Sequence, residues 1–253
     1  MINYYYLCTK LNDMTKTIAY FSQKGGCGKT TLSIMTSSYL AYKEKQRVGV
    51  IDADGQHSFY LARQKEQKKE EVFKEELKKY EVEKPYDVFA CSLAETRAKL
   101  IELYKSNKYD YIIVDLPGTV GDQEIYNIVC SINYIIVPFE HHAPALESSL
   151  RSAVIVTKKL KNVAGVQIKK VCGVFNKVPY SQLSKLSKYI QPINMVGFDY
   201  VFKQIIGDAP TISNVDKCCT YLPPAEQYLA QKDEKLNLGG YFDELMELLK
   251  NND

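Results

Sequence analysis

The stretch "AYFSQKGGCGKTTLS", residues 19–33, decides the fold. It ends as a phosphate-binding loop ends, in Gly28-Lys29-Thr30-Thr31. The common pattern G-x-x-x-x-G-K-[ST] wants a glycine five positions before Gly28. Gln23 stands there, and Lys24 follows it, so the loop carries two lysines. Upstream, "TIAYF" (17–21) reads as a buried strand; downstream, "KTTLSIMTSSYLAYK" (29–43) reads as a helix. Strand, glycine-rich turn and helix are the context that makes such a loop a phosphate site. Gly25, Gly26 and Gly28 let the backbone come close to an anion, and successive N–H groups, Cys27's included, face one concavity. The helix N-terminus adds partial positive charge. The expected ligand is ATP with Mg²⁺. Lys29 is expected to bridge the β- and γ-phosphates and Thr30 to offer its hydroxyl to Mg²⁺, with Thr31 completing the loop.

Nucleotide hydrolysis also needs a carboxylate that organises the metal and a group that positions water. In "YIIVDLPG" (111–118), Asp115 ends an apolar run and precedes a turn at Pro117-Gly118. It is expected to hold a Mg²⁺-bound water, with the Gly118 N–H following the γ-phosphate. In "VGVIDADGQHS" (48–58), Asp52 and Asp54 flank one residue at a second strand end. Ligands of open α/β sheets collect at such ends. Asp54 is read as orienting the attacking water and Asp52 as standing behind the metal. An isolated aspartate there would be a helix cap or a turn residue; the phosphate loop one strand away favours the functional reading.

The rest of the chain continues the alternation. Strands are expected at 47–52, 86–90, 109–115, 133–139 and 169–176, with a weaker one at 194–202. Helices are expected at 29–45, 93–107, 121–131, 143–161 and 180–190. "YIIVD" and "YIIVP" are nearly continuous apolar runs, as in parallel strands covered on both faces. The fold class is therefore α/β: a doubly wound, mostly parallel central sheet flanked by helices. No linker divides the chain. Residues 14–253 are expected to form one domain and residues 1–13 an appendage. The mixed-charge segment 63–84 is expected to be an exposed helix carrying i,i+4 pairs, or else a docking helix.

The 253 residues carry a net charge of +3 and seven cysteines. An odd, scattered set of cysteines fits a reducing cytoplasm. No apolar run is long enough to span a membrane, and the N-terminus lacks the pattern of a secretory signal. Charge distribution says more than its sum. Between Glu147 and Asp199 no acid occurs, while Arg151, Lys158, Lys159, Lys161, Lys169, Lys170, Lys177, Lys185 and Lys188 do.

These motifs in this order resemble the ParA/MinD family of deviant Walker ATPases. The family loop K-G-G-x-G-K-[ST] is met by Lys24–Thr30, its D-x-D-P-Q motif by "DADGQ" (52–56), and its Walker B motif by "DLPG" (115–118). "YIIVPFE" (134–140) and "GVFNKV" (173–178) extend the likeness, which covers roughly residues 14–180. The resemblance implies that Asn176 reads adenine. It also implies that Lys24 reaches the partner's phosphates in a homodimer with ATP sandwiched at the interface. Two cations in one loop are better satisfied by two phosphate sites than by one. Gly55 in place of the family's proline, with Leu116 and Gly118 in the Walker B turn, departs from the pattern and bears on switch geometry.

Among the branches of the family, the acidic tail "YFDELMELLKNND" argues against an anionic membrane. The adjacent Cys218-Cys219, without any C-x-x-C, suits no shared iron–sulfur cluster. The acid-free region 151–188 suits sequence-independent DNA binding. A ParA-type ATPase for DNA partition, slow and stimulated by a ParB-like protein, is the leading reading. A P-loop ligase or synthetase and a nucleotide-binding adaptor with little turnover are the alternatives. His141 and His142 read as cap-region residues rather than metal ligands.

Overall fold

The computed structural model describes residues 15–68, 70–79, 81–118, 123–208 and 237–251. Residues 1–13 and Cys218-Cys219 lie outside the described residues.

Seven strands form one sheet: β1 (Lys16–Tyr20), β2 (Val48–Asp52), β3 (Asp87–Ala90), β4 (Tyr111–Asp115), β5 (Tyr134–Phe139), β6 (Lys170–Phe175) and β7 (Tyr200–Val201). Their spatial order is β3-β2-β4-β1-β5-β6-β7, and every pairing is parallel. The order runs outward both ways from β1, which creates a crevice at the carboxyl ends of the central strands. The expected α/β class with a doubly wound parallel sheet is thus observed.

The alternation of side chains along β1 explains why both faces need cover. Ile18 and Tyr20 enter one apolar cluster; Ala19 and Phe21 enter the other. The first is closed by α1 (Lys29–Ser38), α2 (Ser58–Gln67), α3 (Glu70–Lys79) and the C-terminal α8 (Leu238–Lys250). The second is closed by α4 (Leu93–Ser106), α5 (Gln123–Val129), α6 (Ala143–Val154) and α7 (Ile190–Val196). Helix α4 starts in a capping box made by Ser92 and Glu95, which satisfies two otherwise orphaned N–H groups.

The acidic tail is a core element. Leu238, Tyr241, Phe242, Leu245, Met246, Leu248 and Leu249 of α8 are all buried. Phe242 stacks on Tyr39 at 4.4 Å, and the Tyr241 hydroxyl meets that of Tyr20 at 2.7 Å. Lys16 donates from Nζ to the Leu249 carbonyl at 2.7 Å, which satisfies a free acceptor in the last turn.

Several elements differ from expectation. The helix beginning at Lys29 widens into a π-helical turn over Tyr39–Lys43, and the one beginning at Ala143 does so over Ile155–Leu160. The weak strand expected at 194–202 is a strand only at Tyr200–Val201; its first three residues, 194–196, close helix α7. Ile193 and Val196 are buried one turn apart on α7, and Gly197 at φ 81° ends it. What is left for a strand is short, because the Asp199 carboxylate itself accepts from the Val171 N–H at 2.7 Å. The charged segment at 63–84 holds the end of α2 and all of α3 rather than one helix. Arg63 is buried, with its guanidinium 4.2 Å over the Tyr86 ring, and Leu77 is buried too.

Candidate nucleotide site

The phosphate loop spans the carboxyl end of β1 and the first turn of α1. Gln23, the residue that breaks the common pattern, anchors the loop's entry. Its N–H donates to Ser152 Oγ at 2.9 Å, and its side-chain amide donates to the Tyr126 hydroxyl at 2.9 Å. Position 23 is therefore tied to α6 and α5, where a glycine could offer only its backbone.

The loop exits through Gly28, the N-cap of α1, at φ 92°. That left-handed conformation favours glycine. Space requires it as well: a Cβ there would lie 2.5 Å from the Asn176 side-chain nitrogen. Asn176 follows β6 and donates from Nδ2 to the Cys27 carbonyl at 2.9 Å. Lys177 donates from Nζ to the Gly26 carbonyl at 2.7 Å. The Cys27 thiol is buried and faces the Lys24 carbonyl at 3.4 Å.

The two lysines of the loop point to different partners. Lys29 is buried and donates from Nζ to the Lys24 carbonyl at 3.2 Å, back across the loop. Lys24 leaves the loop and pairs with Glu140, just past β5, at 3.1 Å. The Lys24 side chain is 30% exposed and that of Glu140 is 10% exposed. His142 lies 3.2 Å from the same carboxylate oxygen.

Asp52 and Asp115 end neighbouring strands in register. Asp115 is wholly buried, and burial, followed by the nearby Asp52 charge, pushes its carboxyl up to about 7. The Thr30 and Ser33 hydroxyls oppose that shift by hydrogen bonding to it, with Ser33 Oγ at 3.1 Å from Oδ1. Its other oxygen, Oδ2, is buried without a hydrogen-bond partner. An orphaned carboxylate oxygen beside a threonine hydroxyl is a donor set that fits Mg²⁺, a hard cation that keeps most of its waters. Asp52 is also raised, chiefly by burial. It accepts from the Tyr60 N–H at 2.9 Å and the Asp54 N–H at 3.3 Å, and so fixes the start of α2.

Asp54 is half-buried at the same crevice. One of its oxygens accepts from the Gln56 N–H at 3.0 Å, the turn-forming bond available to any Asx residue. Gly118 lies against the phosphate loop: a Cβ on it would come 3.0 Å from Lys29 Nζ and 3.2 Å from the Gly25 backbone. The turn after β4 thus touches the loop without an intervening side chain. Gly25, Gly26, Cys27, Gly28, Lys29, Thr30, Thr31, Asp52, Asp54, Asp115 and Asn176 all gather at one edge of the sheet.

Sequence reasoning missed Glu140 and Lys177. Glu140 stands directly after a buried apolar strand, the same signal that marked Asp115. Lys177 was counted with the basic region, since nothing in one dimension shows that residue 177 lies against residue 26. Among the described residues, no three or more His, Cys, Asp or Glu side chains cluster as a ready-made metal cage. Also among them, no helix is long and apolar enough to cross a membrane.

Residues 15–103 match a family profile described as an AAA domain. No curated protein matches the sequence significantly. Among solved structures, the ATP complex of a McdA variant from Cyanothece is 17% identical, with 92% of this chain and 97% of that one covered at a TM-score of 0.61. The cell division protein MinD of Aquifex aeolicus is 16% identical, with 94% and 98% covered at 0.59. The pNOB8 ParA bound to nonspecific DNA is 16% identical, with 75% and 80% covered at 0.53. The loop, the two acidic strand ends and these likenesses agree: the chain has the P-loop NTPase fold of the MinD/ParA ATPases.

Proposed function

We propose that the protein is an ATP-binding and ATP-hydrolysing dimer switch of the ParA type that partitions or positions DNA in the cytoplasm. The observation that carries this reading is the divergence of the two lysines. Lys29 is committed to the subunit's own loop. Lys24 points away from it into an ion pair that is 30% exposed at the lysine. Glu140 is buried, but His142 lies 3.2 Å from the same carboxylate oxygen and stays beside it when Lys24 exchanges the pair for a partner's phosphates. The two subunits then sandwich ATP, with each Lys24 completing the other's site.

Within one subunit the loop amides bind and orient the phosphates, and Asn176 holds the loop beside the base. Thr30 and Asp115 would hold Mg²⁺, with Asp52 behind them; the ion supplies charge neutralisation for phosphoryl transfer. Asp54 orients the attacking water once its turn opens. Turnover is slow until a ParB-like protein stimulates it.

Support for DNA as partner comes from the acid-free region and from the pNOB8 ParA complex. Arg151 pairs with Glu147 and Lys161 with Asp199, whereas Lys158, Lys159, Lys185 and Lys188 are exposed. The two segments that carry these four are packed together through α7, where Thr157 Oγ1 donates to the Val196 carbonyl at 3.0 Å. Clustered lysines without base-reading groups suit phosphate contacts of any sequence. The apolar face of α8 is buried in the core and is not presented to a membrane.

The test is ATP-dependent dimerisation, followed by light scattering with and without duplex DNA. Wild type is expected to dimerise with ATP and Mg²⁺ and to bind DNA less tightly as salt rises. Lys24→Ala is expected to stay monomeric yet folded, and Asp54→Ala to dimerise without turnover. A wild type that remains monomeric at saturating ATP refutes the reading. Lys24-independent turnover would point to a ligase or synthetase, and binding without turnover to an adaptor.

A further inference from the structure

We propose that Lys177 is a positioning residue of the phosphate loop, holding its amides in the anion-binding geometry. This rests on the nucleotide-binding part of the function proposed above. The loop binds anions only if its N–H groups converge, which requires the intervening carbonyls to face outward. Two successive carbonyls are held that way from a single turn: Cys27's by Asn176 Nδ2 at 2.9 Å and Gly26's by Lys177 Nζ at 2.7 Å. The bond from Lys177 is charge-assisted, the stronger kind.

The turn that carries the clamp is fixed at both ends. Asn176 donates its N–H to the Phe139 carbonyl at 2.9 Å. Val178 donates to the Ile206 carbonyl at 3.2 Å and bridges Gly207. Between these anchors Lys177 adopts φ 56°, where glycine is the residue without a steric penalty. From that conformation its side chain reaches the Gly26 carbonyl. Lys177 therefore leaves the set of candidate DNA contacts in 151–188 and joins the nucleotide site.

The test compares affinities for a fluorescent ATP analogue and a fluorescent ADP analogue across four proteins: wild type, Lys177→Met, Lys177→Gly and Lys177→Arg. Lys105→Met, exposed on α4, serves as control. Loss of one partly exposed charged hydrogen bond is expected to weaken both nucleotides by roughly tenfold in the Met and Gly variants. Arg is expected to restore most of the affinity. The Gly variant is decisive, because it suits φ 56° and should keep the wild-type melting temperature while losing affinity. Salt-dependent DNA binding at saturating ATP should be unchanged in all. Wild-type affinity in the Met and Gly variants, or a loss that follows melting temperature and is not restored by Arg, overturns the proposal. Nucleotide binding by wild type without dimerisation would refute the switch and leave this inference standing; no binding by wild type would refute both.

Discussion

Burial disfavours the ionised form of Asp115. Its folded value of about 7 lies above the ordinary carboxylate value of 3.8. The folded state therefore keeps a proton that the unfolded state releases, and stability falls as pH rises from about 4 through 7. Asp115→Asn should remove that decline. An amide still accepts from Thr30 and Ser33, and it relieves Asp52 of a neighbouring charge. The expected outcome is a higher apo melting temperature than wild type at pH 8, with little difference near pH 4, read by thermal unfolding across pH. Each kcal/mol gained corresponds to about 2–4 °C in a protein of this size. Mg²⁺-dependent turnover should be lost in the same variant. At this scale the sequence was informative where chemistry is local: a carboxylate after a run of buried β-branched residues announces itself in one dimension. It was silent about Glu140 as the partner of Lys24, because an ion pair between residues 116 positions apart exists only after β1 and β5 align.

The phosphate loop and its clamp behave as one element. Gly28 sits between the left-handed turn and the Asn176 amide, so Gly28→Ala has to displace Asn176 and adopt an unfavourable φ. The expected cost is about 1–3 kcal/mol, measured by denaturant unfolding, together with loss of nucleotide binding. Gly118→Ala should be milder in stability, since φ there is ordinary and the tightest contact is with the side-chain end of Lys29 at 3.0 Å, and should show itself in slower turnover. Element boundaries were legible where apolar runs are bounded by turn residues, as at "YIIVDLPG". They were misjudged at 194–202 because "NMVGFDYVF" has an apolar content that suits either period. Burial of Ile193 and Val196 against the second core decided the matter, and that is a tertiary effect. Helix α2 likewise hides Arg63 inside a charged run: local pattern suggests a solvated face, while the Tyr86 ring turns one cation inward.

The molecule as a whole depends on α8. Its seven buried apolar side chains close the cluster on one side of the sheet. Leu245→Ala should cost about 2–5 kcal/mol, visible as a lower denaturant midpoint with an unchanged slope. The doubly wound class was legible because continuous apolar strands alternating with helices admit few other topologies. That the acidic tail packs in the core was not, because its amphipathic pattern fits a surface helix equally well.

The position of α8 has a consequence for how the protein is made. Lys16 and Tyr20 in the first strand are satisfied by Leu249 and Tyr241, which the ribosome delivers 233 and 221 residues later. At about 5–20 residues per second, the central strand waits roughly 10–50 s for its cover. During that interval the nascent sheet presents Ile18, Tyr20, Tyr134 and Ile136 to whatever is near. The nucleotide loop, built wholly from earlier residues, can form long before the domain is sealed. A nascent chain paused before residue 238 should therefore be held by chaperones and gain protease resistance only on release.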